Sequence, residues 1–318
     1  MLSSKHFLLA ATVAAVAPVG GAAQDLHVTL PVDSMDFLLR TASFDIADLQ
    51  GTRFQGDRTD RGMLLFRDSS AVMAQLAPAP RGGEEFNNVP RYELAAYDLQ
   101  RLYMPEAEIV VPPTAIRAFD LEWYRALDPD VRATFGGINS VVVLIQSWVN
   151  FTTDENVWDQ NRFDSDPLYA HHWANLNLFT YLIRHSDSNT GNVRLSTFAN
   201  NPRLFAVDNG VAFRSIDSNR GTRWRSLLVD RFPATTVAAL RTLTEEDLHR
   251  ALGVMVQWEV RDDRLVAVPP TENIDARRGV RQRGGVVQMG LTRDEIDDVW
   301  YRLETFLRGI ESGLYHVF

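Results

Sequence analysis

The feature that most constrains this chain is a polar octet, His185-Ser186-Asp187-Ser188-Asn189-Thr190-Gly191-Asn192, held between two strongly ordered patterns. Before it, Tyr169 to Arg184 reads as a buried helix through Trp173, Leu176, Phe179, Leu182 and Ile183. After it come two short strands, around Val193–Ser196 and Arg203–Val207, which end in Asp208-Asn209-Gly210. Asp187 and Asn192 are five residues apart, and Asp208 follows Asp187 by 21. Asp-Asn-Gly alone is a strong turn former, and a polar run alone is an ordinary surface loop. Both together, in this order and on these elements, point to a site.

The rest of the chain divides around a dense β-branched run, Ser140 to Val149, which reads as a buried strand. The third before it is strand-rich. Met63–Phe66 and Ala71–Leu76 are short apolar runs joined by Arg67-Asp68-Ser69-Ser70, a hairpin signal. Pro78, Pro80, Gly82 and Gly83 mark a loop, Tyr92–Met104 reads as a helix, and Pro105 ends it. The last third reads as helical, and Thr292 with Glu295 forms a capping box before Ile296, Val299, Trp300, Leu303, Phe306, Leu307 and Ile310. The expectation is a small β-rich half, residues 24–147, and a larger, mainly helical half, residues 148–318. The cleft between two such halves is a common ligand site.

Composition narrows the chemistry. The chain is 45% apolar and 23% charged, which suits a soluble globular protein of 318 residues rather than a disordered chain or a coiled coil. A net charge of −9 makes nucleic acid and anionic membranes poor partners. There is no cysteine, so disulfides and thiolate metal sites are excluded. Lys5 and His6 precede an apolar run from Phe7 to Val19, followed by Gly20, Gly21, Ala22 and Ala23. This reads as a secretory signal, residues 1–23, and no later stretch is apolar enough to span a membrane. Lys5 is the one lysine. Once residues 1–23 are removed, 31 arginines face 41 acidic residues, and any chemistry that needs a lysine ammonium is excluded.

Phosphoryl transfer needs a carboxylate near the attacking hydroxyl and hard oxygen ligands for one or two Mg²⁺ or Mn²⁺ ions on the nucleotide phosphates. Protein kinases place these groups on H-R-D-x-x-x-x-N and a later D-F-G. His185-Ser186-Asp187 with Asn192 has the first spacing, and Asp208-Asn209-Gly210 stands in the place of the second. The stretch Leu176–Phe213 resembles the atypical, lipid-kinase-like branch of the protein-kinase-like superfamily. That branch includes the phosphoinositide kinases, bacterial HipA-type kinases, spore-coat CotH kinases and secreted Golgi casein kinases. Because the animal secreted members are disulfide-rich, an exported bacterial relative is the closer match to a chain without cysteine.

The resemblance implies an α+β, two-lobed protein-kinase-like fold that takes ATP. It implies Asp187 as the catalytic base, and Asn192 and Asp208 as metal ligands. It matches Tyr92–Met104 to the small-lobe helix and Glu93 to its acid, with Glu85 as a second candidate. Val72-Met73-Ala74-Gln75 matches the phosphate-anchoring strand, with Gln75 where a lysine should stand. Gln75 offers a neutral hydrogen bond to phosphate. A compensating arginine is sought among Arg61, Arg67, Arg81 and Arg91, with Arg81 as the assigned nucleotide contact. Gly51, Gly56 and Gly62 lie where a phosphate loop is expected, or are turn glycines.

Two functions follow. One is an exported, secreted or periplasmic, ATP-dependent phosphotransferase that moves the γ-phosphate to a hydroxyl on a protein or small molecule. The other is a pseudokinase, a nucleotide- or protein-binding module without turnover. Adenylate transfer ranks third. His171-His172 and the patch Arg277, Arg278, Arg281 and Arg283 read as packing and solvated surface before they read as sites.

Overall fold

The structure, a computed structural model, describes residues 27–51, 59–86, 88–213 and 220–318. The expected signal segment 1–23 and Gly56 lie outside the described residues. The first half runs α1 (Val32–Thr41), β1 (Phe44–Gly51), β2 (Asp60–Phe66), β3 (Ala71–Pro78), α2 (Pro90–Gln100), β4 (Thr114–Asp120), α3 (Leu121–Arg125) and β5 (Ser140–Ser147). Its strands form one antiparallel sheet in the order β1-β2-β3-β5-β4. Strand alternation sorts the two faces. Leu64, Phe66, Val72, Ala74, Leu76, Val141, Val143 and Ile145 pack with Met35 and Leu39 of α1 in one core. Ala77, Ile116, Val142 and Leu144 face the other way, into a second core that includes α2.

α2 is buried on nearly every side, between the sheet and the second half. It opens with Pro90 at its first turn and stops at Gln100, four residues before the expected end at Met104. There the Gln100 side chain takes over as a staple. Its Oε1 accepts from the Val110 and Val111 N–H groups, and its Nε2 donates to the Val111 carbonyl.

The second half runs β6 (Thr152–Thr153), α4 (Gln160–Ser165), α5 (Pro167–Leu182), β7 (Val193–Ser196), β8 (Leu204–Ala206), β9 (Arg231–Phe232), α6 (Ala234–Leu240) and α7 (Glu245–Leu252). It continues through β10 (Val256–Arg261), β11 (Arg264–Val268), β12 (Val280–Arg283), β13 (Val286–Met289), α8 (Arg293–Glu311) and β14 (His316–Val317). α5 is the buried helix expected before the polar octet, capped by Asp166, whose side chain accepts from the Leu168 and Tyr169 N–H groups. Thr292 and Glu295 form the expected capping box of α8. The main departure in this half is β10–β13, a four-stranded antiparallel sheet where helix was expected. Its hairpins turn at Asp262-Asp263 and Gly284-Gly285, all four residues with positive φ, the backbone that tight two-residue turns require.

One core runs through both halves, from α2 to α5, α7 and α8. A buried ion pair crosses it, Arg91 of α2 to Glu295 of α8 at 2.6 Å. The architecture is therefore a sheet-rich lobe and a larger lobe, joined through α2.

Candidate active site

The β7–β8 hairpin brings the octet and the Asp208 loop together. Val193 pairs with Ala206, so the residues just outside the hairpin, Asn192 and Val207, are neighbours. The Val207 N–H donates to the Asn192 carbonyl at 2.9 Å. On the other side of the octet, Ser186 N–H donates to the Val211 carbonyl at 2.8 Å, and Phe213 N–H donates to the Ile183 carbonyl. The two loops are thus stitched by backbone at both ends.

His185 ties them in the middle. Its Nδ1 accepts from the Asp187 N–H at 3.4 Å, which leaves Nε2 to carry the proton and donate to the Asp208 carbonyl at 3.2 Å. Burial drives the His185 pKa down to about 4, so the ring is neutral at neutral pH and serves as a brace. Asp208 itself has φ +58°, a left-handed backbone uncommon for a residue with a Cβ.

Asp187 and Asn192 are nearly buried, and Asp208 is exposed. Asp187 Oδ1 accepts from the Asn189 N–H at 3.0 Å, and Oδ2 meets Arg220 Nη1 at 3.2 Å. Asn192 Nδ2 is buried with no hydrogen-bond partner among the described residues. A buried amide with spare hydrogen-bonding capacity is what a ligand-binding position leaves open. The donor set, two carboxylates and an amide, is all oxygen on its ligating side and suits Mg²⁺ or Mn²⁺.

Glu93 comes to the same place from α2. The carboxylate is buried against the Asp208-Asn209-Gly210 turn, accepting from the Asn209 and Gly210 backbone N–H groups and from Asn209 Nδ2 at 3.3 Å. Burial, and then the negative charge of Asp208, pushes its pKa up to about 8. In place of an ion pair with a strand lysine, Glu93 clamps the loop that carries Asp208. Glu85, the second candidate, is exposed, and its backbone bridges to that of Asn88.

The remaining expected residues are spread out. Gln75 lies in mid-strand on the sheet face toward α2, directly opposite Arg61 on β2 and Gln146 on β5. Arg81 is exposed in the turn beyond β3, whose Gly83 abuts Val280 and Met289 of the second sheet. Arg91 is committed to Glu84 and Glu295. His171 pairs with Glu108 at 2.7 Å, and Arg281 is buried on the carbonyls of Gly253, Asp275 and Leu291, so both are structural. Sequence reading passed over Arg220, which reaches Asp187 from 33 residues away. It also passed over Gly221, where a Cβ would lie 2.0 Å from Ser188 Oγ and 2.3 Å from its Cβ. No local pattern signals either contact.

No protein-family model matches this sequence, and no curated protein matches it. Among solved structures, the chain is similar to the crystal structure of the Golgi casein kinase with Mn/ADP bound. The TM-score is 0.51 at 13% identity, over 89% of this chain and 76% of that one. The likeness establishes a protein-kinase-like fold.

Proposed function

We propose that this protein is a kinase-like phosphotransferase that binds ATP with Mg²⁺ or Mn²⁺ between the two lobes, residues 24–147 and 148–318. The observation that carries the reading is the hydrogen-bonded assembly of two loops, in which His185 braces Asp187 against Asp208 and the hairpin sets Asn192 beside them. Asn192 and Asp208 are the ligands that would hold the divalent ion. When bound, such an ion neutralises charge on the nucleotide phosphates.

Asp187 receives the proton of the acceptor hydroxyl. The acceptor oxygen forms a bond to the γ-phosphorus, the bond to the bridging oxygen breaks, and ADP leaves with that electron pair. For this, Asp187 must exchange its contact with Arg220 for one with the acceptor. His185 cannot serve as the base, because both ring nitrogens are engaged and burial disfavours its charged form. Glu93 holds the Asp208 loop in register through three donors and leaves Asp208 outward. The N-terminal segment supports export, to the periplasm or outside the cell.

The alternative is a pseudokinase that binds nucleotide without turnover. It is favoured by Gln75 in the strand position of the lysine and by the engagement of Asp187 with Arg220. Incubation with γ-labelled ATP, Mn²⁺ and a generic acceptor protein, with self-phosphorylation scored in parallel, separates the two. Label transfer that disappears in Asp187→Asn supports the enzyme. Nucleotide-induced stabilisation without transfer supports the binding module, and the absence of both refutes the reading.

A further inference from the structure

We propose that Arg61 supplies the phosphate-anchoring charge that Gln75 lacks; the inference rests on the nucleotide reading above. Arg61 and Gln75 are direct cross-strand partners on β2 and β3, and Gln75 in turn faces Gln146, which faces Thr114. Directly opposed residues on one face of an antiparallel pair have their Cβ atoms about 5 Å apart. With Gln50, which pairs with Arg61 from β1, this makes a polar row across all five strands. The row lies on the α2 side of the sheet, because Gly62, Leu64, Val72, Ala74 and Leu76 occupy the opposite face.

Its two ends differ. The inner end is satisfied within the protein: Gln146 Nε2 donates to Thr114 Oγ1 at 3.0 Å, and Thr114 Oγ1 donates to the Pro112 carbonyl at 2.8 Å. At the outer end, Gln75 makes no side-chain hydrogen bond among the described residues. Arg61 is steadied by neutral groups only, Gln50 Oε1 at 2.9 Å and the Trp148 ring at 5.5 Å. Among the described residues no carboxylate compensates its charge. Arg61 is therefore oriented and electrically unspent, which is the state an anion-binding arginine needs.

The other arginines near the strand fail for separate reasons. Arg91 is neutralised by Glu84 and Glu295. Arg67 sits in the turn at the opposite end of the β2–β3 hairpin, beyond the Leu65–Ala71 pair. Arg81 lies past the end of β3, beside the second sheet. Among the described residues, only Arg61 stands next to the position where the strand would present a lysine, one strand over and on the same face. The longer arginine fork spans the additional distance and can engage two phosphate oxygens at once.

The test is isothermal titration of wild type, Arg61→Ala, Arg61→Lys and the double variant Arg61→Ala/Gln75→Lys with Mn²⁺·ADP and with adenosine. The expected result is a loss of tenfold or more in ADP affinity for Arg61→Ala, the scale of one charge-assisted hydrogen bond, with adenosine affinity within twofold of wild type. The double variant should recover most of the ADP affinity, because the lysine returns the charge to the same row. Equal ADP affinity in wild type and Arg61→Ala overturns the inference and leaves nucleotide binding standing. A parallel loss for ADP and adenosine also overturns it, by showing that Arg61 only supports the sheet. If wild type binds neither ligand, the nucleotide reading falls, and this inference with it.

Discussion

Replacing Arg91 by Met tests whether α2 is locked between the lobes by charge as well as by packing. The Arg91 and Glu295 side chains are 7% and 5% exposed, and Arg91 donates to both carboxylate oxygens, at 2.6 and 3.0 Å. Burial pushes the Glu295 carboxyl up, but the Arg91 charge together with the hydrogen bonds from Arg91, Tyr92 and the Thr292 N–H holds the group below its ordinary range. Met fills the space of the arginine stem but leaves Glu295 as a buried charge, with Tyr92 Oη and the Thr292 N–H as its remaining donors. Removing one member of a buried pair costs about 3–5 kcal/mol. For a domain of this size that is roughly 10 °C in Tm. The double variant Arg91→Met/Glu295→Gln should be less damaged than Arg91→Met alone, because no uncompensated charge remains and glutamine preserves the capping box. Urea unfolding followed by tryptophan fluorescence supplies the four corners of the cycle. A loss under about 1 kcal/mol for Arg91→Met, or strictly additive single losses, would refute the reasoning.

Other expectations follow from single contacts. Glu93→Ala strands the Asn209 and Gly210 N–H groups and should cost about 1–3 kcal/mol, with a matching loss of Mn²⁺·ADP affinity by calorimetry; unchanged affinity would detach α2 from the Asp208 loop. Gly221→Ala places a methyl against Ser188 and should break the Arg220 contact with Asp187, reducing Tm by several degrees in a melting curve; an unchanged Tm would contradict that close approach. His172 is buried and its pKa is driven down to about 4, by burial first and then by Arg203. It favours folding above its unfolded value of about 6.5, and that contribution is lost as pH falls toward 4. His172→Phe should therefore flatten the pH dependence of stability between pH 6.5 and 4, by up to about 3 kcal/mol. Parallel curves for variant and wild type in that window would reject the assignment.

Much of this could be read from local sequence. The helix before the octet announces itself through Trp173, Leu176, Phe179 and Leu182, and the hairpin after it through Val193–Ser196 and Leu204–Ala206. Those two elements determine where the octet and Asp208 meet. The capping box at Thr292 and the β2–β3 hairpin were legible for the same reason, because each is decided within a few residues. The sheet at 256–289 is also written locally, in the alternation of Val256–Arg261 and the turn pairs Asp262-Asp263 and Gly284-Gly285, although the last third as a whole reads as helical. What was not legible is long-range. Arg91 meets Glu295 across 204 residues, Glu93 meets Asn209 across 116, and Arg220 meets Asp187 across 33. Such contacts depend on how α2 docks between the lobes. For that reason sequence alone matches Glu93 to the small-lobe acid but does not show that its partner is the loop that carries Asp208.

The most direct test is calorimetric titration of Mn²⁺·ADP into wild type, Asn192→Ala and Asp208→Ala at matched ionic strength. The account predicts saturable, metal-dependent binding to wild type and a loss of at least tenfold in each variant, with folding retained by circular dichroism. Wild-type affinity in a folded Asp208→Ala protein would contradict it.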